Sequence, residues 1–344
     1  MKTVVSAWLV FVPLVALGAD APEIVLEKQG LKYGNAVWHL ASDLSIAERV
    51  KTAERLERRL FDRRNQIDTL LEHNERMKAQ LANLTEAQKA ARAARNIVKG
   101  DSPEQKLLDE QIKQQGAAID QLKKSIVPGE KLGATMPLKA LVIDLVGIRS
   151  EAAFHVLTAW RHIQQAPARY EALRTNPEVV AALAALEPPG QLAPVRPYAN
   201  EIRSLERIEK AIFTDELPLF REGKVWRVTG IANEELPLTF SLYESSEPTA
   251  ITQSMADALG LDLAKQPKAE RKLGKATMKV TTARLESLRF GRHLLNDVEV
   301  LVLPPESENL GARIGLAAFR GLRVRVVAER LLLRLEPKAE PEAK

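Results

Sequence analysis

Residues Phe240 to Thr252 read Phe-Ser-Leu-Tyr-Glu-Ser-Ser-Glu-Pro-Thr-Ala-Ile-Thr, and this stretch decides how the chain is interpreted. It begins at the end of a β-rich run, 236–240, and continues into a polar segment that contains Pro248. Serine and proline favour a loop at this point, because they disfavour continued strand pairing. The carboxylates of this loop belong to Glu244 and Glu247.

Short β-rich runs lie on both sides of the loop. Most are bounded by Gly, Pro, Asn or Asp, which is typical of strands joined by turns. Together they predict a compact, mainly β domain over residues 216–338, followed by a tail at 339–344. The runs are 225–229, 236–240, 276–280, 285–290, 298–303, 322–327 and 331–335.

The order of these signals resembles the retropepsin-like aspartic protease family. Residues 224–242 are similar to the family's first two strands and their hairpin, and 253–261 resemble the short helix after its active loop. The resemblance covers about a third of the chain and implies a retropepsin-like β-barrel. Later segments that resemble the family are 285–292, 296–304, 314–319, 323–327 and 331–335.

The family's active-loop motif, Asp-Ser-Gly-Ala, aligns without a gap with Tyr243, Glu244, Ser245 and Ser246. In the family, two carboxylates share one proton, and each subunit of a dimer provides one of them. Tyr243 stands at the aspartate position, and a phenol stays protonated at neutral pH and is a poor base. Ser245 replaces the glycine that permits a turn with positive φ. We therefore expect no catalytic residue in this loop.

An alternative is an active aspartic endopeptidase that uses a displaced carboxylate, Glu244 or Glu247. Neighbouring residues of an extended segment point to opposite faces, which counts against Glu244. Glu247 lies further along the loop, and a displaced carboxylate misses the geometry that proton sharing requires. Such a loss of geometry lowers a rate by orders of magnitude. We interpret both glutamates as solvated loop charge.

The N-terminus is typical of an export signal. Lys2 precedes the apolar run 4–17, and small residues at 16–18 suit a cleavage site, which predicts a signal peptide at 1–19. The apolar run is shorter than the ~20 residues that span a bilayer. We expect an exported chain, periplasmic or extracellular, with no stable membrane span after cleavage. The layout also resembles exported bacterial proteins with helices ahead of such a domain.

A coiled coil is predicted over residues 45–127, after an extended segment at 20–44. Ser45 and Glu48 form the pattern of a capping box at its first helix. Asn74 at a core position either fixes register or is a local imperfection, and the helices can pair within or between chains. The heptad a positions are Ile46, Ala53, Leu60, Ile67, Asn74 and Leu81, and the d positions are Arg49, Leu56, Arg63, Leu70, Met77 and Leu84.

Further helices are predicted towards the β domain. Ser102 and Pro103 start a second helix of the coiled coil. A helical region follows at 137–187, with a new helix start at Asn176. Residues 188–215 are predicted to form a Pro-rich linker and a short helix.

Composition excludes several functions. The chain has no cysteine, which removes disulfides and thiol chemistry. Its net charge is +5, but the charges alternate in sign, which is typical of solvated helix faces and argues against nucleic acid as a partner. The five histidines have no metal-ligand spacing, so we expect no metal and no cofactor.

The sequence thus predicts an α+β multidomain protein, with an N-terminal α-helical coiled coil and helical region followed by an all-β retropepsin-like barrel. Its favoured function is a binding or assembly module without the catalytic Asp, oligomerised by the coiled coil. The expected partner is a second copy, as a dimer through the coiled coil and the barrel, with a protein or peptide ligand. The alternatives are the endopeptidase described above and a structural envelope coiled-coil spacer.

Overall fold

A computed structural model describes residues 20–98, 100, 102–243, 247–273 and 276–338. The predicted signal peptide at 1–19 and the tail at 339–344 lie outside the described residues, as do Glu244, Ser245 and Ser246. No helix among the described residues is both long and apolar enough to cross a bilayer.

Helices dominate the chain up to Ile212, and strands dominate from Glu216 to Pro337, so the predicted helical region followed by a β domain is confirmed. The N-terminal elements are α1 (Pro22–Lys28), β1 (Leu31–Gly34), β2 (Val37–Leu40), α2 (Ala41–Ile97), α3 (Pro103–Ser125), α4 (Gly129–Leu132), α5 (Leu138–Thr175), α6 (Pro177–Ala185) and α7 (Ala199–Ile212). The C-terminal elements are β3 (Glu216–Pro218), β4 (Phe220–Glu222), β5 (Val225–Ala232), β6 (Leu236–Tyr243), β7 (Ala250–Ile251), α8 (Gln253–Ala258), β8 (Lys268–Leu273), β9 (Ala276–Phe290), β10 (His293–Val302), β11 (Ala312–Gly315), β12 (Leu322–Val327) and β13 (Leu332–Pro337).

The chain forms two compact units, each built from separate stretches. Among the described residues, one unit consists of those up to Glu48 together with Trp160–Ala199. The other consists of those within Arg49–Ala159 together with those from Asn200 onward. The sequence predicted consecutive regions instead, because contacts between distant stretches leave no local signal.

The first unit contains a buried carboxylate at the start of α2. Asp43 accepts hydrogen bonds from the hydroxyl of Tyr170 (3.0 Å) and from that of Tyr198. Burial, together with Asp43, raises the pKa of Tyr170 to about 12, so this phenol stays a donor. Position 43 is in the first turn of the helix, where the helix dipole favours negative charge.

Two predictions in this unit are wrong. Residues 20–44 are not extended: they form α1, with Pro22 in its first turn, and the hairpin of β1 and β2. The capping box at Ser45 is absent, since α2 already begins at Ala41. The Ser45 hydroxyl instead donates to the carbonyl of Ser42 (2.7 Å), inside the helix.

In the second unit, α3 folds back on α2 as an antiparallel hairpin. The Asn74 side chain donates to the carbonyl of Val127 (3.1 Å) and accepts from its N–H (2.9 Å). Near the turn of the hairpin, Arg95 pairs with Asp109 (3.0 Å). The predicted start of α3 is confirmed, because the Ser102 side chain caps it. Asn74 therefore anchors the base of a hairpin within one chain.

Part of the heptad stripe of α2 is covered within the chain. Ile67, a predicted a position, is buried in one cluster with Val142 and Leu145 of α5. The predicted d position Leu70 is 37% exposed, and its neighbour Leu71 is buried in that cluster instead. Contacts with a neighbouring helix of the same chain therefore explain this part of the apolar periodicity. A coiled coil between two copies stays a prediction.

The β domain is built around one large sheet with the strand order β4-β5-β6-β11-β7-β10-β9-β8 and a second sheet with the order β12-β13-β3. One pair of predicted runs, 276–280 and 285–290, merges into the long strand β9, and the sequence patterns do not predict the short strands β3, β4, β7, β8 and β11. The predicted helix after the loop is confirmed as α8, capped by Thr252. The core of the domain includes Val228, Phe240, Ile251, Leu285, Phe290, Val300, Ile314 and Phe319.

Glu216 joins the helices to the β domain. Arg149 of α5 is partly buried and donates to the Glu216 carbonyl oxygen (3.0 Å). The Glu216 carboxylate accepts from Arg334 Nε (3.2 Å) and lies 3.2 Å from a guanidinium nitrogen of Arg64. The hydrogen bond from Arg334 is the main cause that lowers the pKa of Glu216 below its ordinary value of 4.5.

We expect Glu216→Gln to reduce the amount of unfolding free energy that the protein loses when the pH is lowered. Because the folded-state pKa of Glu216 lies below the unfolded one, its contribution is present above pH ~4.5 and is lost as pH falls through the folded pKa. Urea unfolding from pH ~7 to pH ~2 measures this. The wild type should lose more free energy of unfolding than the variant does. The matched control is Glu336→Gln, at a neighbouring carboxylate that is about half exposed; an equal effect of both variants would contradict the assignment.

Candidate functional site

The loop of interest connects two strands that are not paired with each other. Tyr243 ends β6 and Ala250 begins β7, while β11 lies between these strands. β11 runs parallel to β6, with Gly315 opposite Tyr243, and it contacts β7 through Arg313 and Ala250. The two ends of the loop are therefore held apart by the width of one strand.

Arg313 lies between the flanks of the loop. Its neighbours Ala312 and Ile314 are fully buried in the core, so the Arg313 side chain points to the opposite face of the sheet. Its guanidinium carbon lies 5.2 Å from the centre of the Tyr243 ring, within cation–π range. Its Nη1 lies 3.9 Å from a carboxylate oxygen of Glu247. One arginine thus contacts both described flanks of the loop.

A second arginine lies on the other side of β6. Arg227 of β5 is paired with Ser241, and Ser241 is paired in turn with Arg313. The Arg227 guanidinium donates to the Ser241 hydroxyl and lies 2.9 Å from a carboxylate oxygen of Glu222. This face of the sheet therefore presents two cations in register across three strands.

Three buried polar atoms at this face have no hydrogen-bond partner among the described residues. They are Nε of Arg227, Nε of Arg313 and one carboxylate oxygen of Glu247. The Arg313 and Glu247 side chains are only 12% and 20% exposed. A contact at 3.9 Å is an ion pair without a hydrogen bond, so the interaction between these two side chains is electrostatic.

The predicted site residues fall into two groups. Tyr243 and Glu247 are brought together through Arg313, whereas Glu244, Ser245 and Ser246 lie outside the described residues. Sequence reasoning missed Arg227 and Arg313, because each lies in a short run and only strand register places them next to the loop. Among the described residues, no group of three or more metal-ligating side chains is suited to a metal ion.

The C-terminal domain thus has an eight-stranded sheet in which the loop after Tyr243 leads through β7 into the helix α8. The family model for aspartyl proteases matches residues 232–317, which confirms the predicted resemblance for that segment. Among solved structures, the chain is similar to a retropepsin-like aspartic protease from Rickettsia conorii. The identity is 20%, the match covers 35% of this chain and 87% of that chain, and the TM-score is 0.30. No curated protein matches the chain.

We expect Arg313 and Glu247 to be energetically coupled. Arg313→Met, Glu247→Gln and the double variant form a cycle whose coupling free energy should be about 0.5–1 kcal/mol, since the pair is largely shielded from water. Urea unfolding of the three variants measures it. The matched control is the pair Arg284 and Asp297, whose side chains are 63% and 69% exposed and should show no measurable coupling. Equal coupling in both pairs would contradict a shielded site.

Proposed function

We propose that the C-terminal domain is a non-catalytic binding or assembly module that keeps the retropepsin-like fold without its catalytic aspartate. The observation that carries this proposal is Tyr243. It occupies the last position of β6, where the resemblance implies the aspartate, and its ring packs against the Arg313 guanidinium. A phenol held in this way provides no carboxylate for proton sharing.

The charge around the described flanks supports the same proposal. Aspartic protease chemistry requires two carboxylates close enough to share a proton. Glu247, the described candidate for a displaced carboxylate, lies next to the cation of Arg313 instead. An ion pair fixes the carboxylate at the arginine, on one side of the loop. Activation of water there would require Glu247 to leave this contact.

The proposal places the chain outside the cytoplasm, in the periplasm or the extracellular medium, as a homo-oligomer with a protein or peptide ligand. Residues 4–17 form the apolar run of an export signal, which supports export. The helical hairpin supports oligomerisation, because Ile97 and Leu107 near its turn are 79% and 71% exposed. Exposed apolar side chains at one end of a hairpin favour contact with a second copy.

We expect no cleavage of unfolded casein by the purified chain from acidic to neutral pH, because the loop lacks the shared-proton pair. Gel analysis over time, with a retropepsin-like protease as the positive control, measures this. Glu244→Gln and Glu247→Gln are tested in parallel. Cleavage by the wild type that disappears in either variant would overturn the proposal and establish the displaced-carboxylate endopeptidase.

We expect the chain without residues 1–19 to be a dimer in light scattering. The double variant Ile97→Asp/Leu107→Asp should shift it towards the monomer, since charged side chains at the contact oppose association. The matched control, Asn83→Asp/Gln111→Asp, adds the same charge at exposed polar positions of the same hairpin. A monomeric wild type would overturn the oligomeric part of the proposal.

A structural spacer is the remaining alternative, and it differs in what the β domain does. If deletion of residues 216–338 changed neither the oligomeric state nor the recovery of a ligand, the spacer would be favoured. A binding module requires that ligand recovery is lost with this domain, while the helices keep the oligomeric state.

A further inference from the structure

The second sheet of the C-terminal domain has an open edge. β12 pairs with β13 on one side, and no strand among the described residues pairs with its other side. The N–H of Lys338 donates to the carbonyl of Gly321, which fixes the pattern of the ladder. The backbone groups of Gly321 therefore point towards β13. In an antiparallel ladder, successive residues direct their N–H and C=O groups to alternate sides of the strand, so those of Val324 and Val326 point away from β13. They are available to another strand.

Two arginines mark the same edge. Arg323 and Arg325 are exposed on one face of β12 and lie two positions apart, about 6.8 Å along a strand. Neither guanidinium forms an ion pair with any described residue. Their spacing equals the spacing of alternate side chains in a neighbouring strand.

Across the strand pair, Arg325 faces a like charge, and Arg323 faces a carboxylate that lies near another arginine. Arg325 lies opposite Arg334, whose guanidinium is bound by Glu216. Like charges directly opposite each other destabilise a sheet. Arg323 lies opposite Glu336, which lies within 4.0 Å of Arg334 instead. A carboxylate on the outer side of β12 would offset this repulsion.

The other face of β12 is apolar at its margin. Val324 packs against the core of the domain, and Val326 is 39% exposed. A strand added to this edge would therefore meet positive charge on one face and an apolar surface on the other. Alternating acidic and β-branched residues have the side chains that fit these two faces.

We propose that the free edge of β12 binds an extended acidic segment of another protein by strand addition, with carboxylates at alternate positions facing Arg323 and Arg325. The outward backbone groups of Val324 and Val326 supply the hydrogen bonds, and the two arginines select the sequence. This site is separate from the loop after Tyr243, so it does not depend on the absence of catalysis.

Two other occupants fit the edge less well. When a second copy pairs antiparallel through its own β12, the registers that use both outward valines bring arginine opposite arginine, which is destabilising. An anionic membrane surface attracts arginines but does not use the outward N–H and C=O groups, because lipid headgroups present no strand. Alternate spacing and open backbone groups together favour a polypeptide.

The test uses a short fluorescent peptide, Thr-Glu-Val-Glu-Val-Glu-Val-Thr, titrated with the chain lacking residues 1–19 and followed by fluorescence anisotropy. A control peptide of the same composition, Glu-Glu-Glu-Thr-Val-Val-Val-Thr, separates spacing from total charge. We expect the alternating peptide to bind about tenfold more tightly than the control peptide. Arg325→Glu should weaken its binding about tenfold, since a favourable charge pair becomes a repulsion.

Matched variants make the result specific. Arg320→Glu changes the charge equally at an exposed position outside β12 and should alter the affinity less than about twofold. Val326→Pro removes an outward N–H at an edge where proline is tolerated and should weaken binding about fivefold. Circular dichroism and thermal unfolding verify that each variant is folded.

Several outcomes would overturn the proposal. Equal affinity for the two peptides, or equal losses for Arg320→Glu and Arg325→Glu, would indicate general attraction between opposite charges. Binding to vesicles that contain phosphatidylserine, without binding to the alternating peptide, would assign the edge to a membrane surface. A dimer that Val326→Pro converts to a monomer would assign the edge to a second copy. None of these outcomes affects the proposed loss of peptidase activity.

Discussion

The pairing of β11 between β6 and β7 determines what the C-terminal domain can do. Four residues, Ala312–Gly315, bridge the two strands that lead into and out of the loop. Strand alternation sends Ala312 and Ile314 into the core and turns Arg313 towards the loop. The same ladder that stabilises the barrel therefore places a cation beside the position that the family resemblance gives to an acid. Scaffold and site cannot be altered independently here.

The β domain was predictable in outline because most of its strands are bounded by turn residues. Val225–Ala232 and Leu236–Tyr243 have clear strand patterns, and Asn233 and Glu234 between them adopt positive φ values of 50° and 55°. β7 and β11 gave no such signal, since two and four residues are too few to show a period. Arg313 was missed for the same reason: its role depends on strand order, which no local pattern records.

The helical region shows what periodicity can and cannot establish. The stripe through Ile67 and Asn74 predicts the seam of a coiled coil, and both residues are buried. Ile67 packs against α5, and Asn74 bonds to the backbone at Val127, so both partners lie in the same chain. A repeat near 3.5 residues identifies the face that is covered but not the surface that covers it. Helix starts were easier, since the Asn176 side chain accepts from the N–H groups of Glu178 and Val179.

The hairpin at the N-terminus escaped prediction because of its turn. Asn35 and Ala36 have φ values of 51° and 63°, and alanine rarely adopts this conformation. The usual signal for such a turn, Asn-Gly, is absent. Contacts outside the turn, including the Trp38 N–H bonded to the carbonyl of Gln191 (2.8 Å), hold the hairpin in place.

The Asp43 cluster also has a consequence for biosynthesis. Its hydroxyl donors come from Tyr170 and Tyr198, which follow Asp43 by 127 and 155 residues. Until both tyrosines have left the ribosome, the Asp43 carboxylate lacks their hydroxyl donors and cannot be buried as it is in the folded unit. The N-terminal unit is thus completed only after translation has passed Tyr198, although its first residues are among the earliest to be made. Long-range closure of this kind slows folding relative to local contacts.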